Sequence, residues 1–121
     1  MGEGSFMVNV ISSPDRNLGV QVRLVFQLTQ HSRDEKLMKS LIEYFECGHV
    51  YRSRNAIDFR ITKFKDLTDK VIPFFDKFPL QGAKHLDYLI FLEAVELMKN
   101  KAHLTKEGLA QIVKIKAKLY K

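Results

Sequence analysis

Two sets of polar residues sit in runs where polar and apolar side chains tend to alternate. Asn9, Gln21, Arg23, Gln27 and Thr29 form the first set, and Tyr51, Asn55, Asp58, Arg60 and Thr62 form the second. Side chains alternate across a strand, so the polar members of each run share a face. These residue types suit the edges of base pairs: Arg donates twice to guanine, Asn or Gln pairs with adenine through two bonds, and a two-stranded ribbon fits the width of a major groove. The same alternation serves any sheet with one face on a core and the other in water. The pattern alone therefore leaves base reading and simple solvation as alternatives. Val25 and Ile11 fall on the polar face, where they either touch thymine methyls or pack among the polar residues.

Other chemistry is sparse. His31, His49, His85 and His103 are not spaced three or four apart from one another, so no pair builds a metal site on one helix turn; His49 could join the polar face. The lone Cys47 has no internal disulfide partner, which favours a reducing or organellar interior over secretion. A net charge of +6 attracts a polyanion but also fits an ordinary basic surface. With 121 residues, 45% of them apolar and 28% charged, the chain has the size and balance of one soluble domain. No apolar run approaches the roughly 18 residues needed to cross a bilayer, so no membrane partner is expected.

The elements that must carry these residues follow from period. Ser5 to Ile11 and Gly19 to Thr29 read as a hairpin around a turn-rich stretch, with Val20, Val22, Leu24, Phe26 and Leu28 on the core face. Ser32 and Glu35 match a capping box, and Leu37, Met38, Leu41, Ile42 and Phe45 follow at helical spacing, with Gly48 as terminator. A shorter hairpin spans His49 to Arg52 and Ala56 to Thr62. Leu67, Val71, Phe74, Phe75 and Phe78 mark a second helix that Pro73 should kink or split. A long helix from Ala83 to about Lys101 presents Leu86, Leu89, Ile90, Leu92, Val95, Leu97 and Met98, and Thr105 can cap a last helix that turns Leu109, Ile112, Val113 and Ala117 inward. The expectation is one α+β domain over residues 1–121, of order ββαββαα, with an antiparallel sheet and helices on one face.

The opening residues Gly2-Glu3-Gly4-Ser5-Phe6, running directly into a strand, resemble the end of the LAGLIDADG motif of homing endonucleases, seen there in patterns such as GFIDGEGSF. The order of elements resembles that family's half-domain over nearly the whole chain. The resemblance implies site-specific recognition of double-stranded DNA by the polar sheet face and Mg²⁺-dependent cleavage of its phosphodiester bonds. Glu3 falls on the motif's metal-binding carboxylate, Gln30 resembles the residue that places the water network, and Lys84 resembles the active-site lysine; Arg33 is a looser match. The closing IVKIKAKL resembles the family's basic last helix. The motif helix that precedes the Glu3 position in the family is absent from this sequence. The expectation is thus a half-domain that binds DNA but does not cut it alone, awaiting a second LAGLIDADG half, within a mitochondrion or chloroplast. Two alternatives remain at this stage: an RNA-binding splicing helper of maturase type, and an inactive truncated fragment.

Overall fold

The structure, a computed structural model, describes residues 3–31 and 35–119. Its elements are β1 (Glu3–Ser12), β2 (Val20–His31), α1 (Glu35–Phe45), β3 (His49–Arg52), β4 (Ala56–Ile61), α2 (Phe64–Asp66), α3 (Ile72–Lys77), α4 (Gly82–Lys99) and α5 (Lys106–Leu119). A π turn, Leu67–Val71, joins α2 to α3, and a 3₁₀ turn, Ala102–Leu104, precedes α5. The strands form one sheet in the order β1-β2-β4-β3, with β4 antiparallel to both β2 and β3. The chain divides into two compact units, one of Met1–Ser5 with Val25–Pro79 and one of Phe6–Leu24 with Leu80–Lys121.

In the first unit, alternation along β4 buries Ile57, Phe59 and Ile61 and leaves Asp58 and Arg60 half-buried on the other face. Helix α1 packs on β3 and β4, where the Phe45 ring stacks on Phe59 at 5.9 Å between centroids. Phe26 meets the edge of Phe75 at 5.4 Å, and Leu67 and Val71 are fully buried. Such aromatic pairs add to the area they bury because ring edges and faces carry opposite partial charge. The end of α1 departs from expectation. Glu46, at φ +58°, makes the left-handed stop, while Gly48, at φ +99°, sits against the Phe59 ring. The proposed cap at Ser32, and Arg33 beside it, lie outside the described residues.

Pro73 does not split the helix. Proline has no N–H and its ring crowds the carbonyl four residues back. The wider turn ahead of it, in which the Ile72 amide donates to the Leu67 carbonyl, lets the chain stay helical from 64 to 77.

In the second unit, Phe6 and Val8 of β1 and Val22 and Leu24 of β2 are buried. Phe6 lies 5.0 Å from Phe91 and 5.4 Å from Tyr88 on α4. The hairpin closes through the Ser13 amide donating to the Gly19 carbonyl at 2.9 Å, with Gly19 at φ +73°. Thr105 caps α5 as expected: its Oγ1 accepts from the Gly108 amide at 3.0 Å. The helix faces need correction. Tyr88, Phe91, Ala94 and Val95 are the buried side of α4, while Leu86 and Leu89 are 60% and 45% exposed. On α5, Ile112 and Ile115 point inward, whereas Val113 and Ala117 are exposed.

Candidate nucleic-acid interface

Strand register decides which polar residues meet. Gln27 pairs with Arg60 and Thr29 with Asp58 across β2 and β4, while His49 pairs with Arg60 and Tyr51 with Asp58 across β3 and β4. Because each of these is two residues from the next on its own strand, they fall on one face in two rows: Gln27, Arg60, His49 and Thr29, Asp58, Tyr51. The alternate rows, Phe26 with Ile61 and Leu28 with Phe59 and Val50, form the core side.

Within the polar rows the side chains are linked. Arg60 donates from Nε to Gln27 Oε1 at 2.7 Å and from Nη2 to Asp58 Oδ2 at 3.3 Å. The Thr29 hydroxyl donates to Asp58 Oδ1 at 2.8 Å and accepts from Gln27 Nε2 at 3.1 Å. The Arg60 guanidinium carbon stands 4.9 Å from the centre of the Tyr51 ring, within reach of a cation–π contact, and the His49 and Tyr51 rings are 6.3 Å apart. In the Arg60–Asp58 ion pair the side chains are 39% and 19% exposed. A pair this accessible is screened by solvent, so its value lies in fixing geometry more than in stability.

The remaining expected readers are more dispersed. Asn55 is exposed in the β3–β4 turn, where the Ser53 amide donates to the Ala56 carbonyl at 3.0 Å, and Thr62 is exposed just beyond β4. Asn9 and Gln21 are half-buried in the second unit, and Arg23 is exposed there with no ion pair among the described residues. Val25 is 4% exposed, which removes it as a thymine-methyl contact, while Ile11 at 36% stays accessible. Alternation assigns a face and does not say whether that face is covered.

The three residues matched to catalysis have different standing. The Glu3 backbone opens β1, and its side chain lies outside the described residues. Gln30 is half-buried near the end of β2, opposite Ile57, on the same parity as Leu28. Lys84 is half-buried in the first turn of α4; it belongs to the second unit and Gln30 to the first. Among the described residues no three His, Cys, Asp or Glu side chains are grouped to hold a metal ion. Mg²⁺ and Ca²⁺ need several oxygen ligands, so the described side chains do not by themselves fit a divalent ion.

Residues 1–95 match the sequence model of the LAGLIDADG endonucleases. The chain belongs to that family. It is 40% identical over 120 residues to the probable intron-encoded endonuclease 2 of Neurospora crassa, a match covering 98% of this chain and 25% of that protein. Among solved LAGLIDADG structures, I-SmaMI bound to an uncleaved DNA target in the presence of calcium ions superposes with a TM-score of 0.95 at 40% identity, over 98% of this chain and 41% of that one. I-LtrWI, a LAGLIDADG homing endonuclease bound to target DNA, gives 0.91 at 43% identity, over 96% and 40%. The chain thus spans about a quarter to two fifths of the LAGLIDADG proteins it matches. No helix among the described residues is long and apolar enough to cross a membrane.

What sequence reasoning missed is the linkage between readers. The signal was present: two polar pairs, Gln27 with Thr29 and Asp58 with Arg60, each spaced by two, on strands that an antiparallel sheet can bring side by side.

Proposed function

We propose that this chain is a double-stranded DNA reader of the LAGLIDADG type, and that within an endonuclease it contributes to cutting the site it reads. The observation that carries the reading is the polar two-row face across β2, β4 and β3, on a fold that superposes on a DNA-bound endonuclease at a TM-score of 0.95. Arg, Gln, Thr and His on a twisted strand ribbon can address base edges in a major groove, and the +6 net charge draws the phosphate backbone toward them. Asn9, Gln21 and Arg23 of the second unit are assigned as further readers in their own right, and Asn55 and Thr62 lie at the ends of the second hairpin.

In cleavage, Lys84 supplies positive charge near the attacked phosphate, and Gln30 orients water by hydrogen bonding. Glu3 offers one hard oxygen ligand toward a divalent ion, of which Mg²⁺ is the expected species; the ion would neutralise phosphate charge and activate water. One carboxylate leaves most of the coordination shell to phosphate, water and a second acidic group. Binding is therefore assigned to this chain, and cutting to the assembly in which a second LAGLIDADG half completes the site. The intron-encoded relative points to an organellar genome as the setting.

Titration of the 121-residue chain with labelled duplex DNA at two salt concentrations tests the reading. The expected result is binding that weakens steeply with salt, as release of counterions from phosphates requires. Equal or tighter binding to an RNA duplex of the same length would refute it, because A-form RNA hides its major groove from a strand ribbon.

A further inference from the structure

The four hydrogen bonds that link Gln27, Thr29, Asp58 and Arg60 close into a ring, and donor chemistry fixes its direction. Arg60 Nε can only donate, so the Gln27 atom facing it is Oε1. The Asp58 carboxylate can only accept, so the Thr29 hydroxyl hydrogen points to it. Thr29 Oγ1 is then left to accept, and Gln27 Nε2 donates to it.

This ring changes what each residue can read. Gln recognises adenine by offering an acceptor and a donor together; Gln27 is tied at both ends of its amide, Oε1 to Arg60 and Nε2 to Thr29, so that amide cannot turn its two ends to a base without breaking the ring. Asp58 has one bond on each carboxylate oxygen, from Thr29 and from Arg60, and at 19% exposure it is poorly placed to accept from cytosine. Arg60 keeps the most. A guanidinium has five N–H groups; Nε–H and one N–H of Nη2 are engaged, which leaves three. One Nη1 hydrogen and the second Nη2 hydrogen make the end-on fork that fits guanine O6 and N7, with the other Nη1 hydrogen to spare. The Tyr51 ring stands 4.9 Å from the guanidinium carbon, and the Arg60 side chain at 39% exposure is accessible to a ligand.

We propose that the base selected at this patch is a guanine, taken by Arg60, and that Asp58 is the positioning residue that makes Arg60 a guanine reader while Gln27 is withheld from adenine. This rests on the DNA-reading function above and specifies its chemistry at one base pair.

The test is selection by the chain from a duplex library with randomised positions, sequencing the bound fraction for wild type, Arg60→Lys, Asp58→Asn, Asp58→Glu and Gln27→Leu, with thermal melts to confirm folding. Wild type is expected to enrich guanine at one position. Arg60→Lys keeps the charge, lacks the fork, and loses roughly tenfold or more of that preference. Asp58→Asn and Asp58→Glu lose it at the same position, and Asp58→Asn does so without weaker total binding, because it removes a negative charge facing the DNA. Adenine enrichment that Gln27→Leu abolishes would show that the ring opens on DNA and would overturn the proposal. So would a guanine preference that survives both Asp58 variants. Binding with no base enriched anywhere would instead sink the DNA-reading function itself, and this inference with it.

Discussion

Replacing Gly48 by Ala tests the support beneath the polar face. A Cβ built there lies 2.6 and 2.8 Å from two carbons of the Phe59 ring and 3.1 Å from the Arg60 carbonyl oxygen. Carbon atoms pack at about 3.5–4.0 Å, so the ring must retreat by roughly 1 Å. It has little room: Phe59 is 0% exposed and stacks on Phe45. Displacing a packed core side chain costs about 1–3 kcal/mol, and holding Ala at φ +99° costs about 1–3 kcal/mol more. The sum, about 2–6 kcal/mol, is a large share of the 5–15 kcal/mol typical of a whole domain. Urea unfolding followed by far-ultraviolet circular dichroism should show a lower midpoint with a similar slope. Combining Gly48→Ala with Phe59→Leu should recover the steric part and leave the backbone part, giving a favourable coupling of about 0.5–3 kcal/mol in a double-mutant cycle. A Gly48→Ala protein within about 0.5 kcal/mol of wild type would refute the packing argument.

Gly108→Ala should cost about 3 kcal/mol or more, since its Cβ would sit 1.8 Å from the Ala102 carbonyl oxygen. Thr105→Ala, which removes the cap and the hydroxyl's 2.7 Å bond to the Ala102 carbonyl oxygen, should cost about 1–2 kcal/mol, and the order of the two melting temperatures checks both. His103 is held below the ordinary histidine pKa, first by burial and then by the charge of Arg16. The unfolded chain therefore takes up this proton first as pH falls below about 6.5; the stability is intact above that value and is lost through the depressed folded pKa. His103→Gln should flatten the fall in melting temperature between neutral and mildly acid pH, and an unchanged slope would exclude His103 as its source. In duplex selection, Arg23→Ala should blunt preference at one base by about 1–3 kcal/mol, whereas Lys84→Ala should leave every base preference intact.

The alternation of β2 and β4 and the helical spacing before Phe45 were enough to read both hairpin-and-helix units. Thr105 as a cap was equally legible, because capping is decided within four residues. Faces were harder. On α4 the stretch from Tyr88 to Leu92 is an unbroken apolar run with Leu86 just ahead of it, so period could not choose between Leu86 and Tyr88, and bulk burial went to the rings at 88 and 91. Val25 illustrates the same gap on a strand. The polar ring was the least legible, since it depends on Gln27 facing Arg60 across 33 residues of chain. Sequence supplies the residue types at each end, and strand register supplies their meeting.

The π turn at Leu67–Val71 has a consequence for chain length. In an α-helix, steps of four residues drift around the axis by about 40° each. A wider turn rotates less per residue, so the step from Leu67 to Val71 falls short of a full circle and offsets the overshoot from Val71 to Phe75. Three buried residues spaced by four are thereby kept on one nearly straight seam. The turn holds one residue more than α winding would use. Deleting a residue between 67 and 71 should restore regular α winding there yet bring Pro73 back against a carbonyl and swing Phe75 off its seam. Homologues that differ by one residue in this stretch must therefore also differ at the proline or at the ring.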